Sequence, residues 1–135
     1  MEFDSKAYIG EYIERARQAQ AEFEKMSQEE VDLAVKVIGK TVYDNAEYLA
    51  EIAVQETNMG NVPDKIAKNK QKSKIIWNSL KGKKSRGILD TDETTGITRI
   101  AKPMGVVAAI TPCTNPIVTP MSNAMFALKC GNAII

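Results

Sequence analysis

The stretch GVVAAITPCTNPIVTPMSNAMFALKCGNAII, residues 105–135, decides the fold class of this chain. Residues 105–110 are small and apolar without alternation, which is typical of a strand buried on both faces of a parallel sheet. A helix over about 120–129 follows, and Gly131 is suited to end it. Residues 133–135 begin another strand, so the order predicts an α/β protein that opens a βαβ unit. The helix residues expected to point inward are Met121, Met125 and Leu128.

The predicted strand and helix are joined by a proline-rich loop, residues 111–116, that reads TPCTNP. In open α/β sheets, ligands bind beyond the carboxyl ends of the strands, and this loop lies at such an end. Its prolines favour extended backbone around Thr114 and Asn115. Two interpretations remain open: these side chains donate hydrogen bonds to a developing oxyanion, or they cap the helix and stabilise a turn. The glycine-rich motifs that cradle phosphates are missing from the loop.

Three helices precede this unit in a predicted helical part, residues 1–85. The first spans 5–24 and is capped by Asp4 or Ser5. A capping box at Ser27–Glu30 begins a second helix that continues to about Thr57. The third runs over 63–80. The residues predicted to be buried are Tyr8, Tyr12, Ala16, Ala19 and Phe23 in the first helix, Val31, Val35, Ile38, Val42, Ala46, Leu49 and Ala53 in the second, and Val62, Ile66, Ile76, Trp77 and Leu80 in the third.

Residues 86–103 change to short β-prone pieces on either side of a turn rich in Thr, Asp and Gly. Residues 87–90 and 97–102 are therefore predicted to form a hairpin with a multi-residue loop. A hairpin leaves an unpaired strand edge. That edge either pairs with another copy of the chain or is covered by the same chain. After the hairpin, residues 104–135 form a third predicted part.

The net charge of +1 offers no overall attraction to nucleic acid or membrane, so neither is an expected partner. The charge is uneven, because residues 57–86 carry one acid and nine bases. We interpret most of this basic run as a solvated helix face. The alternative is a standalone module that binds a polyanion through residues 62–86. The run lacks interleaved aromatics, which weakens a nucleic-acid interpretation.

Two cysteines and no secretory signal predict a reducing, cytoplasmic setting. The chain has no histidine, so neither Cys113 nor Cys130 has the usual general base of a nucleophile. We expect both to be buried or half-buried bystander thiols. The sequence indicates no metal site. The first helix also has the form of a targeting helix, so a bacterial microcompartment is an alternative location.

Several motifs together resemble the CoA-acylating aldehyde dehydrogenases, including the aldehyde dehydrogenase half of bifunctional aldehyde–alcohol dehydrogenases. The segment PMGVVAAITPCTNPIVTPMSNAMFALKCGNAII is similar to their P-x-G-V-x-x-x-x-P-x-T-N-P…K…N-A-I-I. ETNMGNVPDKIAKN, residues 56–69, resembles their E-[ST]-G-M-G-x-x-x-D-K-x-x-K-N, with Asn58 where the family often has glycine. RARQAQAEFEKMSQEEVD resembles their opening helices, and GILDTDETTGITRIAKPMG resembles their hairpin. The match runs in order over essentially the whole chain.

The resemblance implies the N-terminal part of the aldehyde dehydrogenase fold, with the start of a Rossmann-like parallel sheet and an oligomerising hairpin. The implied reaction converts an aldehyde, coenzyme A and NAD to an acyl-CoA and NADH, with NADP as the alternative cofactor. The implied catalytic cysteine lies downstream, so this piece alone should be inactive. A non-acylating aldehyde dehydrogenase is the alternative within the superfamily.

The resemblance also assigns roles to the loop. In the wider superfamily the loop reads T-P-W-N-F-P, and its asparagine helps to form the oxyanion hole. Here that role falls to Asn115, one position later, and Thr114 is the rival for it. The residues implied to line the cofactor site are Ile110, Thr111, Pro112, Thr114 and Asn115.

Overall fold

The computed structural model describes residues 4–135, so residues 1–3 of the predicted helical part lie outside it. It shows helices followed by an antiparallel hairpin and a parallel strand pair, which confirms the α/β prediction. Within residues 4–135, none of the helices is both long enough and apolar enough to cross a membrane. In chain order the elements are α1 (Ser5–Phe23), α2 (Gln28–Asp44), α3 (Ala46–Thr57), α4 (Val62–Leu80), β1 (Gly87–Asp92), β2 (Ile97–Ala101), β3 (Val106–Val107), α5 (Val118–Lys129) and β4 (Ala133–Ile134).

The predicted helix starts follow from side-chain caps. The Asp4 carboxylate accepts a hydrogen bond from the Ala7 amide at 2.9 Å. Ser27 and Glu30 form the reciprocal capping box that the sequence predicts, with bonds of 2.7 and 3.2 Å. At the end of α3, Asn58 adopts the left-handed conformation with φ of 54°, which asparagine tolerates better than most residues. The caps and the helix end that the sequence predicts are therefore present in the folded chain.

The second predicted helix is divided in two at Asn45, so the prediction of one continuous helix to Thr57 is wrong. Asn45 leaves the helical conformation, with φ of −101° and ψ of 22°. Its side-chain amide donates to the Thr41 carbonyl at 2.8 Å, an example of asparagine competing with the helical backbone bonds. The break occupies a single residue, so the buried stripe continues from α2 into α3 through Ala46, Ala50 and Ala53.

The core lies where α2, α4 and α5 meet. Val31, Val35 and Met125 are completely buried, and Ile76 and Met121 complete the cluster. Fully burying a side chain of this size contributes about 1.5–3 kcal/mol. Gly39 of α2 lets α5 approach closely, because a Cβ built there would lie 3.0 Å from the Met125 methyl carbon.

The buried face of α4 is more polar than the sequence suggests. Ile76 is buried as predicted, but the other buried positions of this helix are Lys65, Asn69 and Ser73. The Asn69 amide donates to the Ala46 carbonyl at 3.2 Å, immediately after the break between α2 and α3. The Ser73 hydroxyl contacts the Asn69 carbonyl at 2.8 Å. A polar stripe thus fixes α4 against α3 and the core.

Helix α1 packs on the strand pair less extensively than predicted. Ala16 is buried and Phe23 is half-buried, but Tyr8 and Tyr12 are 48% and 38% exposed, and Ala19 is exposed. The first half of α1, including Tyr8 and Tyr12, lies beside the carboxyl ends of the strands without packing closely against them. An open, largely apolar groove of about 760 Å³ results, between α1 and residues 108–110 and 134–135.

The parallel strand pair is shorter than predicted, because only Val106 and Val107 of residues 105–110 form ladder pairs in β3. Its hydrogen bonding continues beyond them, since the Ala109 amide donates to the Ile135 carbonyl at 2.8 Å. Helix α5 begins at Val118 rather than Pro120. Proline is tolerated in a first helical turn, where its missing N–H would have no helical partner in any case.

The hairpin forms as predicted but stands in solvent. Every residue of β1 is exposed, and β2 is exposed except at Ala101. Ile88 pairs with Ile100, and a bulge at Leu89 shifts the register before Asp90 pairs with Arg99. Ile88, Ile97 and Ile100 are 54–60% exposed. The hairpin therefore holds its shape through its own strand pairing.

Candidate functional site

The loop 111–116 leaves the sheet at the carboxyl end of β3, next to the corresponding end of β4. Parallel pairing brings these ends together: the Ile135 amide donates to the Val107 carbonyl at 2.9 Å. Helix α5 begins at Val118, shortly after the loop, and contributes Met121 and Met125 to the core. The loop therefore lies at the edge where open α/β sheets bind ligands.

Two backbone hydrogen bonds shape the loop. The Asn115 amide donates to the Pro112 carbonyl at 3.3 Å and closes a turn. The Asn115 carbonyl accepts from the Thr119 amide at 3.3 Å, which joins the turn to the first residues of α5. Residues 111–114 are exposed, whereas Asn115 is half-buried. The loop thus presents its tip to solvent and fixes its base at Asn115.

Two lysines of α4 hold the loop from the side. The Lys65 ammonium donates to the Thr114 carbonyl at 3.3 Å. The Lys68 ammonium donates to the Asn115 side-chain oxygen Oδ1. The two lysines are three residues apart, which places them on the same side of the helix. The loop is therefore clamped by an element that precedes it by almost fifty residues.

These two lysines are exceptions to the interpretation of most of the basic run as a solvated face. Lys65 is only 6% exposed and Lys68 is half-buried, while Lys72, Lys81 and Lys84 are exposed as expected. Within residues 4–135 neither Lys65 nor Lys68 forms an ion pair. Both lysines are within the D-K-x-x-K-N motif that follows the Asn61 cap. Their spacing in that motif distinguishes them from the other lysines of the run, whereas composition alone does not. Because Lys65 and Lys68 contact the loop, the basic run offers two fewer cations to a polyanion than the sequence suggests.

The structure brings the two candidate oxyanion residues together at the base of the loop. The Asn115 amide nitrogen Nδ2 lies 3.4 Å from the Thr114 hydroxyl oxygen. The implied cofactor residues lie along the exposed side, where Ile110 is 96% exposed and Thr111 and Pro112 are also exposed. Within the described part of the chain, nothing donates a hydrogen bond to Ile110 or Thr111.

The two cysteines lie apart, and both are exposed, so the expectation of buried or half-buried thiols is wrong. Cys113 is at the solvent-facing tip of the loop. Cys130 caps the end of α5, where the chain turns away from the core between the buried residues Lys129 and Gly131. Neither thiol has a basic partner among the contacts of residues 4–135, so the site contains hydrogen-bond donors and cations without a nucleophile.

At the end of α5 that is far from the loop, the helix is tied to α2 by a buried ion pair. The Lys129 side chain is 3% exposed, and its ammonium contacts the Asp32 carboxylate. Gln28 donates to the same carboxylate at 2.8 Å and links it to Ser85. Sequence reasoning placed Lys129 only at the helix end. Its burial depends on the packing of α5 against α2, which no local pattern specifies.

Comparison with known proteins gives a consistent result. The sequence model that describes the aldehyde dehydrogenase family matches residues 2–135 of this chain. The succinate-semialdehyde dehydrogenase (acetylating) of Clostridium kluyveri is 54% identical over 127 residues, which cover 94% of this chain and 28% of that protein. The bifunctional aldehyde-alcohol dehydrogenase AdhE of Escherichia coli is 38% identical over 96% of this chain and 14% of its own length.

Solved structures agree with these relatives. The crystal structure of an acetylating aldehyde dehydrogenase from Geobacillus thermoglucosidasius matches with a TM-score of 0.91 at 41% identity. The match covers 95% of this chain and 28% of that one, so the chain spans little more than a quarter of the length of that protein. The resemblance predicted from the motifs is confirmed: the chain belongs to the aldehyde dehydrogenase family.

Proposed function

We propose that this chain is the N-terminal part of an NAD-dependent, CoA-acylating aldehyde dehydrogenase. The whole enzyme would convert a small aldehyde, coenzyme A and NAD to an acyl-CoA and NADH. The observation that carries the proposal is Asn115, held at the carboxyl edge of the parallel strands with its side-chain oxygen occupied by Lys68. The similarity to acetylating relatives supports the acylating reaction over a non-acylating one.

Within that reaction, Asn115 would stabilise developing negative charge. When a thiolate of the catalytic part adds to the aldehyde carbon, the carbonyl π electrons move to oxygen and form an oxyanion. A fixed amide N–H aimed at that oxygen lowers the barrier, because it binds the transition state more strongly than the ground state. Thr114 offers a hydroxyl in the same place and remains the rival donor.

The exposed side of the loop fits the nicotinamide end of the cofactor. Ile110 and Thr111 keep their backbone groups free of other hydrogen bonds within residues 4–135, so a ligand can use them. Ile110, Thr111, Pro112 and Thr114 would hold NAD through backbone contacts. Bound NAD would accept the hydride from the substrate carbon. We propose NAD rather than NADP, and equilibrium binding of each to the whole enzyme would decide between them.

The decisive experiment is Asn115→Ala in the whole enzyme. Losing one oxyanion donor lowers turnover by about 10²-fold. Asn78→Ala is the matched control, because Asn78 is an exposed asparagine of α4. Thr114→Val tests the rival donor. Normal turnover in Asn115→Ala would remove the proposed role from this side chain, and a comparable loss in Thr114→Val alone would transfer it to Thr114.

The chain by itself should be inactive, since its site holds donors without a nucleophile. The 135-residue chain mixed with aldehyde, coenzyme A and NAD should produce no NADH absorbance. The whole enzyme is the positive control. NADH formation by the chain alone would show that the chemistry lies within these residues.

We also propose that the hairpin, in the part spanning residues 86–103, joins copies of the enzyme. Its isoleucines are exposed although they are β-branched and apolar, and its strand edge is unpaired within residues 4–135. Ile88→Asp with Ile100→Asp should lower the molar mass measured by light scattering. An unchanged assembly would assign the interface to another surface.

We further propose a cytoplasmic location for the whole enzyme. Two free, exposed thiols are typical of a reducing compartment. Fractionation of cells that carry the tagged enzyme would test this, and recovery in a microcompartment fraction would favour α1 as a targeting helix.

A further inference from the structure

We propose that Lys68 is a positioning residue that fixes the orientation of the Asn115 amide in the oxyanion site. This inference rests on the proposed role of Asn115. It goes beyond that role because it explains how the donor is aimed, and it assigns a task to a lysine outside the loop.

The chemistry of the contact determines which end of the amide faces α4. An ammonium group has only donors, so the atom it meets must be the amide oxygen. The Lys68 ammonium contacts Oδ1 of Asn115, and the amide nitrogen Nδ2 therefore points away from α4. Without that cation, the two ends of an amide are nearly equivalent and the side chain can rotate by half a turn. With it, the donor side is permanently directed away from the helix.

The donor side of Asn115 is otherwise weakly engaged. The contact of Nδ2 with the Thr114 hydroxyl is 3.4 Å long, at the outer limit of a hydrogen bond. The Nδ2 group would therefore lose only a weak hydrogen bond to Thr114 when it donates to an oxyanion instead. Because a hydrogen bond to the amide oxygen polarises the amide, the neighbouring cation also makes Nδ2 a stronger donor.

Lys68 can hold this position because α4 is itself immobilised. The Asn69 amide fixes the helix to the Ala46 carbonyl at 3.2 Å. Lys65, one turn earlier, holds the backbone of the same loop through the Thr114 carbonyl. The space between α4 and residues 115–118 measures only about 10 Å³, so the helix packs closely against the base of the loop.

The charge of Lys68 is not used in an ion pair. Among residues 4–135, the only contact of its ammonium is Asn115. The cation is therefore available to orient the Asn115 amide, because no carboxylate among residues 4–135 competes for it.

The test is a double-mutant cycle in the whole enzyme, with Lys68→Met, Asn115→Ala and both together. Methionine keeps the length of the side chain and removes the ammonium. We expect Lys68→Met to lower kcat by about tenfold or more, as for a lost hydrogen bond to a charged group. KM for NAD and the melting temperature should stay close to those of Lys72→Met, an exposed control on the same helix. Lys68→Arg should restore part of the rate because it can still donate to Oδ1.

The combined variant distinguishes the outcomes. If Lys68 acts through Asn115, the double variant is no slower than Asn115→Ala alone. The positioning role would be overturned if the rate losses of the two single variants multiplied in the double variant, or if Lys68→Met had a normal rate. Either result would leave the role of Asn115 intact. A normal rate in Asn115→Ala would overturn both proposals together.

Discussion

The loop 111–116 and the hairpin 87–101 are both exposed, but they are held in different ways. The loop takes its shape from distant side chains, since Lys65 and Lys68 of α4 contact Thr114 and Asn115. The hairpin takes its shape from itself, through its ladder and the Asp90–Arg99 pair. The proposed oxyanion site thus depends on tertiary contacts. The hairpin, which is proposed to join copies of the enzyme, depends on local ones.

Exposure alone therefore does not distinguish the proposed oxyanion loop from the proposed contact surface of the hairpin. The loop tip is as accessible as the hairpin, yet its base is bound to a buried helix face that includes Lys65 and Asn69. Changes in the core should therefore reach the loop, whereas changes in the hairpin should stay there.

The largest effect on stability should come from Asp32→Ala, which leaves the Lys129 ammonium buried without its carboxylate. Lys129 is 3% exposed at its side chain and Asp32 is 25% exposed. Breaking a buried pair from one side costs about 3 kcal/mol in free energy of unfolding, measured by urea denaturation. The control is Asp44→Ala, whose pair with Lys40 is exposed and worth no more than about 0.5 kcal/mol. Equal losses in the two variants would contradict the distinction between buried and exposed pairs.

A smaller and more local effect is expected from Lys65→Met. The Thr114 carbonyl would lose its donor, and exchange of the Asn115 amide should quicken by up to about tenfold, the equivalent of one hydrogen bond. Hairpin amides should be unchanged in the same NMR experiment. The free energy of unfolding should not fall, because a buried ammonium with one 3.3 Å hydrogen bond is costly to desolvate.

Lys70→Met serves as the control for that variant, because Lys70 faces Glu47 at 3.8 Å on the outer side of α4. Unchanged exchange at Asn115 together with a loss of global stability would show that Lys65 supports the core and not the loop.

The smallest effect should come from Arg99→Gln in the hairpin. Hydrogen bonds from Arg99 hold the pKa of the Asp90 carboxyl below its usual value. The pair therefore contributes above the ordinary aspartate pKa, near 3.9, and its contribution is lost as pH falls through the lower folded pKa. In Arg99→Gln, the titration midpoint of Asp90 should rise toward the usual value. Lys102→Gln is the control, and a midpoint that does not move would contradict the pairing.

Local patterns predicted the starts of α1 and α2 correctly. Ser27 with Glu30 and Asp4 cap the helices as expected, because capping depends on residues three or four apart. The predicted stripe from Val31 to Ala53 is also buried or half-buried. The same pattern did not reveal the break at Asn45, since a one-residue interruption leaves the helical period almost unchanged.

Predictions failed where burial depends on a neighbouring element. Tyr8 and Tyr12 share a helix face with Ala16, but only Ala16 is buried. The sequence predicted a mostly solvated face for the run that contains Lys65 and Lys68, because lysine is rarely buried, and it placed Lys129 only at a helix end. Their positions follow from where the loop and α2 lie in space, which hydrophobic periodicity does not encode.

By itself, the sequence determined the fold class, the caps and the family, since these depend on short-range patterns and on motifs in a fixed order. The resemblance also pointed to Asn115 as the candidate donor. Only the tertiary structure decided which way its amide faces. That direction is set by an ammonium 47 residues earlier in the chain, and the contact exists only after α4 has packed beside the loop.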